Sequence, residues 1–324
     1  MQSLIRATMS AAVAVATTLI AVAPVAADTF PSKPITLIVP YAPGSPPDQY
    51  SRRFAEKFGT KVGQKVVIDN RPGALTTIGM AQAARAKPDG YTMVYGSNSS
   101  LAAAPHLFKK INYDPIKDFA AVTILYDSPM ILIGRPEDAK LGLGGMLERM
   151  RKEPGKHPIG GAAITQEVIN KMLQKQAGIE QPYARYSGSN IPTDVIGGSL
   201  AMGINALSGL APLVESNKLH VFAFTSAKRL PGKWSHVPTV AETLPGFELS
   251  SWVGLWVPAG TPKPIIDFLY AKTTEVIREP DFMAKTEETG GATVFMTPAD
   301  TDAYVKAEGP RWQKLLRDAG IEAQ

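Results

Sequence analysis

The segment ITLIVPYAPGSPPD, residues 35–48, is the clearest indication of the fold class of this chain. Ile35 to Val39 is an apolar, largely β-branched run that ends at a proline, which is typical of a strand buried in a parallel sheet. Ser45-Pro46-Pro47-Asp48 then has the signature of a helix start, with a serine cap, prolines in the first turn and an acid three residues after the cap. We expect this helix to run from Pro46 to Phe58 and to end at Gly59.

The same alternation of strands and helices continues along the chain. Further strands are predicted at Lys65–Asp69, Tyr91–Tyr95, Phe119–Ile133 (one long strand or a pair), Pro158–Ala163, Tyr183–Ser187, Ser199–Asn205, Leu219–Ser226 and Trp252–Val257. Further helices are predicted at Ile78–Ala86, Gly144–Lys152, Pro192–Ile196, Pro264–Ile277 and Pro298–Ala319, with one more that Thr165 caps and Gly178 ends.

This order gives one α/β unit, a second complete α/β unit and a return to the first. The sequence therefore predicts an α/β fold of two domains, joined by two crossings of the chain, with a hinged cleft between them. We expect domain 1 to comprise residues 28–122 with 250–324, and domain 2 to comprise residues 123–249.

The N-terminus predicts export. Arg6 precedes an uncharged apolar run from Ala11 to Ala23, and Val25-Ala26-Ala27 suits a signal peptidase, so residues 1–27 are expected to be a cleaved secretory signal peptide. No later window approaches the roughly 20 apolar residues of a membrane-spanning helix. The chain has no cysteine, which fits a periplasmic protein that relies on its core.

The charge of the chain points away from nucleic acids. Its formal net charge is +5, and the basic residues are spread along the sequence without a block of five or six. Nucleic-acid binding is therefore not expected. A mildly positive field favours the capture of anionic solutes.

Small polar residues cluster at the predicted carboxyl ends of the strands, where ligands bind in open α/β sheets. These loops are Tyr41–Asp48, Ser97–Ser100, Gly160–Thr165 and Ser187–Thr193, with Asn205–Ser208 as a fifth. A helix N-terminus offers unpaired N–H groups and about half a positive charge, so several such loops meeting in a cleft would suit a carboxylate. The alternative is that these residues only form turns and helix caps.

Four larger side chains in these loops have two interpretations each. Asp48 could orient a ligand or water, or it could simply complement the helix dipole and cap. Arg185 could clamp a carboxylate in two places, or it could be an exposed surface arginine. Tyr41 and Tyr186 could stack on an aromatic ligand, or they could belong to the packing at the rim.

Signals for an enzyme or a cofactor are weak. Gly197–Ala201 lacks the second glycine of a nucleophile elbow and precedes a strand, so catalysis by Ser199 is not expected. The four histidines are widely spaced and form no metal-binding motif, and Gly142–Gly145 lacks the spacing of a dinucleotide fingerprint. We therefore expect no enzymatic activity, no metal and no cofactor.

Several separated motifs resemble one known family. They are Phe30–Ile35, Pro40–Gly44 with Asp48, Asn70–Ala74, Ala86–Thr92, Tyr113–Phe119, Thr225–Arg229, Val237–Glu242 and Val257–Pro262. Through them the chain resembles, from end to end, the Bug or TctC-like extracytoplasmic binding proteins of tripartite tricarboxylate transport systems.

The resemblance implies a two-domain "Venus flytrap", a type II-like periplasmic binding protein, that closes on a small organic carboxylate and delivers it to membrane transporter subunits. It also implies a monomer. The ligand-binding positions carried over from the family are Tyr41, Gly44, Ser45, Asp48, Ser97, Asn98, Gly161, Ala162, Ala163, Thr165, Tyr186, Gly188, Ser189 and Asn205. Two alternatives stay open: a periplasmic protein that reports its ligand to a membrane sensor, and a periplasmic hydrolase.

The chain departs from the family pattern in three places. The double glycine of the first loop is Gly44-Ser45 followed by two prolines, which stiffens the loop and adds a hydroxyl. The glycine-rich loop of the second domain is shortened, and the histidine usual in its helix is missing, with Glu167 or Val168 near that place. Arg185 replaces a customary proline. These changes argue against a common C4 or amino-acid ligand and leave room for an aromatic carboxylate. The ligand class expected overall is a dicarboxylate or an aromatic carboxylate.

Overall fold

The structure is a computed structural model that describes residues 30–186 and 190–323. The strands are β1 (Ile35–Val39), β2 (Val66–Asn70), β3 (Thr92–Ser97), β4 (Phe119–Gly134), β5 (Ile159–Gly161), β6 (Tyr183–Arg185), β7 (Met202–Ala206), β8 (His220–Phe224), β9 (Ser250–Pro258) and β10 (Ala292–Thr293). The α-helices are α1 (Pro46–Val62), α2 (Thr77–Ala84), α3 (Ala104–Leu107), α4 (Gly142–Lys152), α5 (Ile164–Ala177), α6 (Ile191–Ile196), α7 (Ala211–Glu215), α8 (Lys263–Ile277), α9 (Pro280–Glu288) and α10 (Pro298–Asp318).

Hydrogen-bonded neighbours in the sheet follow the order β2-β1-β3-β9-β4-β7-β5-β6, and β8 and β10 also pair with β4. β1 is parallel to β2 and β3, whereas β9 is antiparallel to both of its neighbours, β3 and β4. β5 is parallel to β6 and β7. The sheet thus has two sets of strands: the first contains β1, β2, β3 and β9, and the second contains β5, β6, β7 and β8. This mixed α/β fold agrees with the fold class that the sequence predicts.

β4 belongs to both sets of strands. Its first part, Phe119–Pro129, pairs with β9, and its last part, from Met130, pairs with β7 and β8. The chain enters the second set along β4 and returns to the first between the end of β8 and the start of β9. These are the two expected crossings, while the domain boundaries at residues 122/123 and 249/250 stay a prediction.

Thr225 joins the two crossings. Its hydroxyl accepts a hydrogen bond from Met130 N at 2.9 Å and donates one to Leu249 O at 2.7 Å. Its backbone N–H and carbonyl also bond to Met130 and Leu249, at 2.9 and 3.0 Å. The side chain is fully buried, and its bonds tie the outgoing segment to the returning one.

Helix α1 shows how the apolar pattern produces the core. Tyr50, Phe54 and Phe58 recur every four residues and are buried against the sheet, in a cluster that includes Leu37 of β1. The prediction that this helix ends at Gly59 is wrong. α1 continues to Gly63, whose φ of 69° gives the left-handed cap that glycine favours.

Gly59 has a packing role instead. A Cβ at this position would lie 3.0 Å from Gln64 O, because the chain folds back over the last turn of the helix. The residue is a glycine because the backbone passes close to it, and the sequence alone does not separate that reason from a helix stop.

The predicted caps need two corrections. Ser45 occupies the N-cap of α1, but its hydroxyl donates to Ala42 O at 2.7 Å and caps no helical N–H. Thr165 does not cap α5, since Ala163 is the N-cap and Thr165 lies in the first turn of the helix. The remaining predicted elements begin and end within a few residues of those observed.

The structure bears on the prediction about membrane-spanning helices but not on the predicted signal peptide. The expected signal peptide, residues 1–27, lies outside the described residues. In the part of the chain that the structure describes, no helix is long and apolar enough to cross a membrane.

Candidate functional site

Asn98, directly after β3, carries the most distinctive polar group of the site. Its side chain is fully buried, and Oδ1 accepts a hydrogen bond from Ser251 Oγ of β9 at 2.9 Å. In this orientation of the amide, Nδ2 lies at its other end. Nδ2 has no hydrogen-bond partner among the described residues, and leaving a buried donor unpaired costs about 1–3 kcal/mol. A ligand oxygen would remove that cost.

The loops after β1 and β3 are joined by Tyr41 and Ser97. Tyr41 Oη donates to Ser97 Oγ at 3.0 Å. Ser97 is held in turn by Ser100, whose hydroxyl accepts from Ser97 N at 2.9 Å and donates to Ser97 O at 3.0 Å. Burial raises the pKa of Tyr41, so its hydroxyl stays neutral and keeps the proton that it donates to Ser97. The structure therefore brings these two predicted loops together.

The carboxylate of Asp48 is bound by the chain itself. It accepts hydrogen bonds from Gly44 N at 2.8 Å, from Arg52 Nε at 2.9 Å and from Asn70 Nδ2 at 2.8 Å. Burial alone would raise the pKa of Asp48, but the hydrogen bonds from Arg52, Asn70 and Gly44 outweigh it and lower the pKa. Asn70 Nδ2 also donates to Tyr41 O at 3.1 Å, so this cluster shapes the whole first loop.

The N-terminus of α1 offers fewer donors than we expect from a helix end. Pro46 and Pro47 have no N–H, and they fill the first two helical positions. The N–H of Gly44 is bonded to Asp48, and the N–H of Ser45 to Ala42 O at 3.2 Å. The general expectation of several unpaired backbone donors at a helix start therefore does not hold for this loop.

In the predicted loop Gly160–Thr165, the side chain of Gln166 accepts hydrogen bonds from the backbone donors. Its Oε1 accepts hydrogen bonds from Ala163 N at 2.7 Å and, more closely, from Ala162 N. This is one half of a capping box; the reciprocal half cannot form, because Ala163 has no side-chain acceptor. Both amides that were predicted to meet a ligand thus have a partner within the chain.

Tyr183 of β6 lies under the same loop. Its Oη is buried and has no hydrogen-bond partner in the described part of the chain, and burial raises its pKa. A Cβ on Gly161 would lie 2.3 Å from Tyr183 Oη and 2.9 Å from Gln166 Cβ. Gly161 is therefore required because the tyrosine ring and the glutamine stem occupy the space that a Cβ would need.

The other predicted residues of this region are bonded to their neighbours. Tyr186 N donates to Gly161 O at 2.9 Å, and Tyr186 Oη donates to Asp194 Oδ2 at 2.5 Å, which raises the pKa of Tyr186. Arg185 forms an ion pair with Glu167 and is 59 % exposed, which fits the surface interpretation. Gly188 and Ser189 lie outside the described residues.

Thr165 and Asn205 complete the predicted set. Thr165 is buried in the first turn of α5, and Asn205 lies on β7 with its Oδ1 accepting from Ala206 N at 2.9 Å. Across residues 30–186 and 190–323, no hydrogen bond joins the predicted residues of the first set of loops to those of the second. The arrangement is of two separate polar surfaces.

Sequence reasoning missed four residues that shape these surfaces: Arg52, Asn70, Gln166 and Tyr183. Gln166 alone had a recognisable signal, since a glutamine three residues after an N-cap is the second half of a capping box. Misplacing the cap at Thr165 concealed it. Arg52 lies one helical turn from Asp48, whereas Asn70 and Tyr183 act through contacts between residues far apart in sequence.

Comparisons with known proteins show the family to which the chain belongs. The family model described as "Tripartite tricarboxylate transporter family receptor" (TctC) matches residues 50–321. Protein BugT of Bordetella pertussis is 30% identical over 305 residues, covering 93% of this chain and 93% of BugT.

Two solved structures are similar over the same range. R. palustris Rpa4515 with adipate has a TM-score of 0.80 at 29% identity, covering 91% of this chain and 100% of that one. MatC from Rhodopseudomonas palustris with bound malate has a TM-score of 0.73 at 26% identity, covering 89% and 100%. The chain therefore belongs to the TctC family of tripartite tricarboxylate transporter receptors, the periplasmic solute-binding proteins that include the Bug proteins.

Proposed function

We propose that this protein binds a small organic carboxylate, a dicarboxylate or an aromatic carboxylate, between the loops after β1 and β3 and the loop after β5. It then delivers the ligand to a membrane transporter of the tripartite tricarboxylate type. The observation that carries the proposal is the buried Asn98 amide, whose Nδ2 lacks an acceptor among the described residues. The related proteins solved with adipate and malate support a carboxylate guest.

Neutral donors would recognise the carboxylate. The arginines near the two surfaces, Arg52 and Arg185, are paired with Asp48 and Glu167. The remaining donors are uncharged groups, of which Asn98 Nδ2 is the one without a partner among the described residues. Hydrogen bonds from neutral donors to an ionised carboxylate are charge-assisted, so they are stronger than bonds to a neutral oxygen. Asp48 takes part by holding the first loop in place.

Ligand binding would act by a population shift. A ligand that contacts both sets of loops stabilises the closed arrangement by the contacts it makes only there. Movement would occur where the chain crosses between the strand sets, around Pro129 of β4 and Ser250 of β9. The two moving bodies in this proposal are the predicted domains, except that residues 123–129 of β4 would move with residues 28–122 and 250–324, because they pair with β9. The other body would comprise residues 130–249.

Export and assembly form the rest of the proposal. Residues 1–27 would be removed as a signal peptide, and the mature protein would act as a periplasmic monomer that binds its solute without chemical change. The closed form would then be the one that the transporter subunits recognise.

The test is a thermal-shift screen of the mature chain against malate, succinate, adipate, benzoate and phthalate, followed by calorimetry on the best ligand. We expect at least one carboxylate to raise the Tm, and Asn98→Ala to weaken its binding about tenfold or more, as the loss of one charge-assisted hydrogen bond predicts. Asn170→Ala is the matched control, because Asn170 of α5 is also fully buried with an unpaired Nδ2. Equal affinities for wild type and Asn98→Ala would contradict the proposal.

A further inference from the structure

The loop after β5 differs from an ordinary anion-binding helix start in one respect. Its two leading amides, Ala162 N and Ala163 N, both donate to the side-chain oxygen of Gln166. Gln166 is 7% exposed, so its side chain is packed in place as well as hydrogen-bonded. A ligand carboxylate could reach these amides only by expelling a buried side chain.

The same two bonds determine the orientation of the Gln166 amide. Two N–H donors at one end of the group require the oxygen there, which fixes Nε2 at the opposite end, away from the loop backbone. Nε2 has no hydrogen-bond partner among the described residues. Its N–H groups are also polarised, because the oxygen of the same amide accepts two bonds at a helix N-terminus.

Tyr183 supplies a second donor, and its hydroxyl lies beside the stem of Gln166 at Gly161. The hypothetical Cβ of Gly161 would meet both Tyr183 Oη and Gln166 Cβ, at 2.3 and 2.9 Å, so the two side chains flank the same glycine. Tyr183 Oη is buried without a partner in the described chain, and its raised pKa keeps it protonated. The hydroxyl of Tyr183 and the stem that carries the Gln166 amide thus both lie against Gly161.

We propose that the side chains of Gln166 and Tyr183, and not the backbone amides of Ala162 and Ala163, bind the ligand carboxylate on this side of the cleft. The two backbone amides donate to Gln166 Oε1, and Gln166 Nε2 would then be the group that donates to the ligand. The inference rests on the proposed function, and it makes Gln166 and Tyr183 determinants of ligand specificity.

Two single variants test it by calorimetry with the best carboxylate from the thermal-shift screen. Gln166→Ala removes the amide and frees the two backbone N–H groups, and Tyr183→Phe removes only the hydroxyl while keeping the ring. We expect each variant to raise the Kd about tenfold, as the loss of a charge-assisted hydrogen bond predicts. Gln174→Ala, at a partly buried glutamine farther along α5, is the control and should leave the Kd unchanged.

The outcomes separate the inference from the function it rests on. Tighter binding by Gln166→Ala would overturn the inference, because it would show that the ligand uses the backbone amides and competes with the glutamine. An unchanged Kd in both variants would also overturn it. A wild-type protein that binds no carboxylate would instead refute the proposed function. Circular dichroism and the Tm of each variant without ligand confirm that it is folded.

Discussion

The side-chain hydroxyl of Thr225 accepts a hydrogen bond from Met130 N at 2.9 Å. This bond links the two segments that cross between the strand sets. The same hydroxyl donates to Leu249 O at 2.7 Å. One buried oxygen therefore satisfies a donor on the outgoing segment and an acceptor on the returning segment.

Thr225→Val is expected to lower the free energy of unfolding by roughly 1–3 kcal/mol, because it leaves two buried backbone groups unpaired without changing the side-chain shape. Urea denaturation followed by circular dichroism measures the change. Thr273→Val is the control, since the Thr273 hydroxyl is buried and has no partner among the described residues. That variant should be neutral or slightly stabilising, and an equal loss in both variants would contradict the role given to Thr225.

The raised pKa of Asp127 in β4 predicts that the free energy of unfolding depends on pH. Burial raises its pKa to about 7, with a smaller contribution from the charge of Glu248. Asp127 lines a cavity of about 200 Å³ together with Glu248, Tyr304 and Arg311, and Glu308 lies close enough to add to the raised pKa.

The sign of the effect follows from the raised pKa of Asp127. Between its unfolded pKa near 4 and its folded pKa of about 7, the folded chain holds a proton that the unfolded chain has lost. Stability is therefore lost as the pH rises through this range. The stability advantage of Asp127→Asn over wild type should grow by roughly 1–3 kcal/mol between about pH 5 and pH 8. Denaturation curves at four pH values measure it, and a constant difference would refute the prediction.

Gly161→Ala should be destabilising, because its Cβ would lie 2.3 Å from Tyr183 Oη and 2.9 Å from Gln166 Cβ. We expect a loss of about 1–3 kcal/mol from this overpacking. Gly309→Ala in α10 is the control: a Cβ there has open space, so the variant should gain up to about 1 kcal/mol from helix propensity. In a double-mutant cycle, Tyr183→Phe should recover part of the Gly161→Ala loss, and strict additivity would contradict the contact.

Asp48→Ala should destabilise the protein by about 2–4 kcal/mol, since it removes the acceptor for three donors. The lowered pKa of Asp48 makes this contribution present above the unfolded pKa and lost as the pH falls through the folded value. The difference between variant and wild type should therefore shrink below about pH 4. The exposed Asp267, paired with Lys263, is the control, and Asp267→Ala should cost less than about 1 kcal/mol at any pH.

The sequence predicted those elements whose signals are local. β1 has the predicted bounds, Ile35–Val39, because an apolar run flanked by prolines has one interpretation. The end of α1 was wrong because Gly59 and Gly63 are both glycines, and only the fold shows which of them has a positive φ. Local patterns fix the existence of an element better than its last turn.

The candidate site was predictable at the level of loops and less so at the level of atoms. The position of Asn98 after a strand identifies it, and the structure adds that its Nδ2 has no partner in the part of the chain that is described. The sequence could not show that Asp48 is saturated, because one of its three donors, Asn70, lies 22 positions away. The roles of Gln166 and Tyr183 likewise depend on how β5, β6 and α5 pack around Gly161.

The sharing of β4 by both strand sets has a consequence for protein engineering. A cut at Pro129 would leave the N-terminal fragment without β9, which lies between β3 and β4, so that fragment could not complete its sheet. Split reporters and truncated fragments divided at that point should therefore fail to fold independently. An inserted fluorescent module would be better tolerated at a surface turn, such as the one around Gly155, where the backbone takes no part in the sheet.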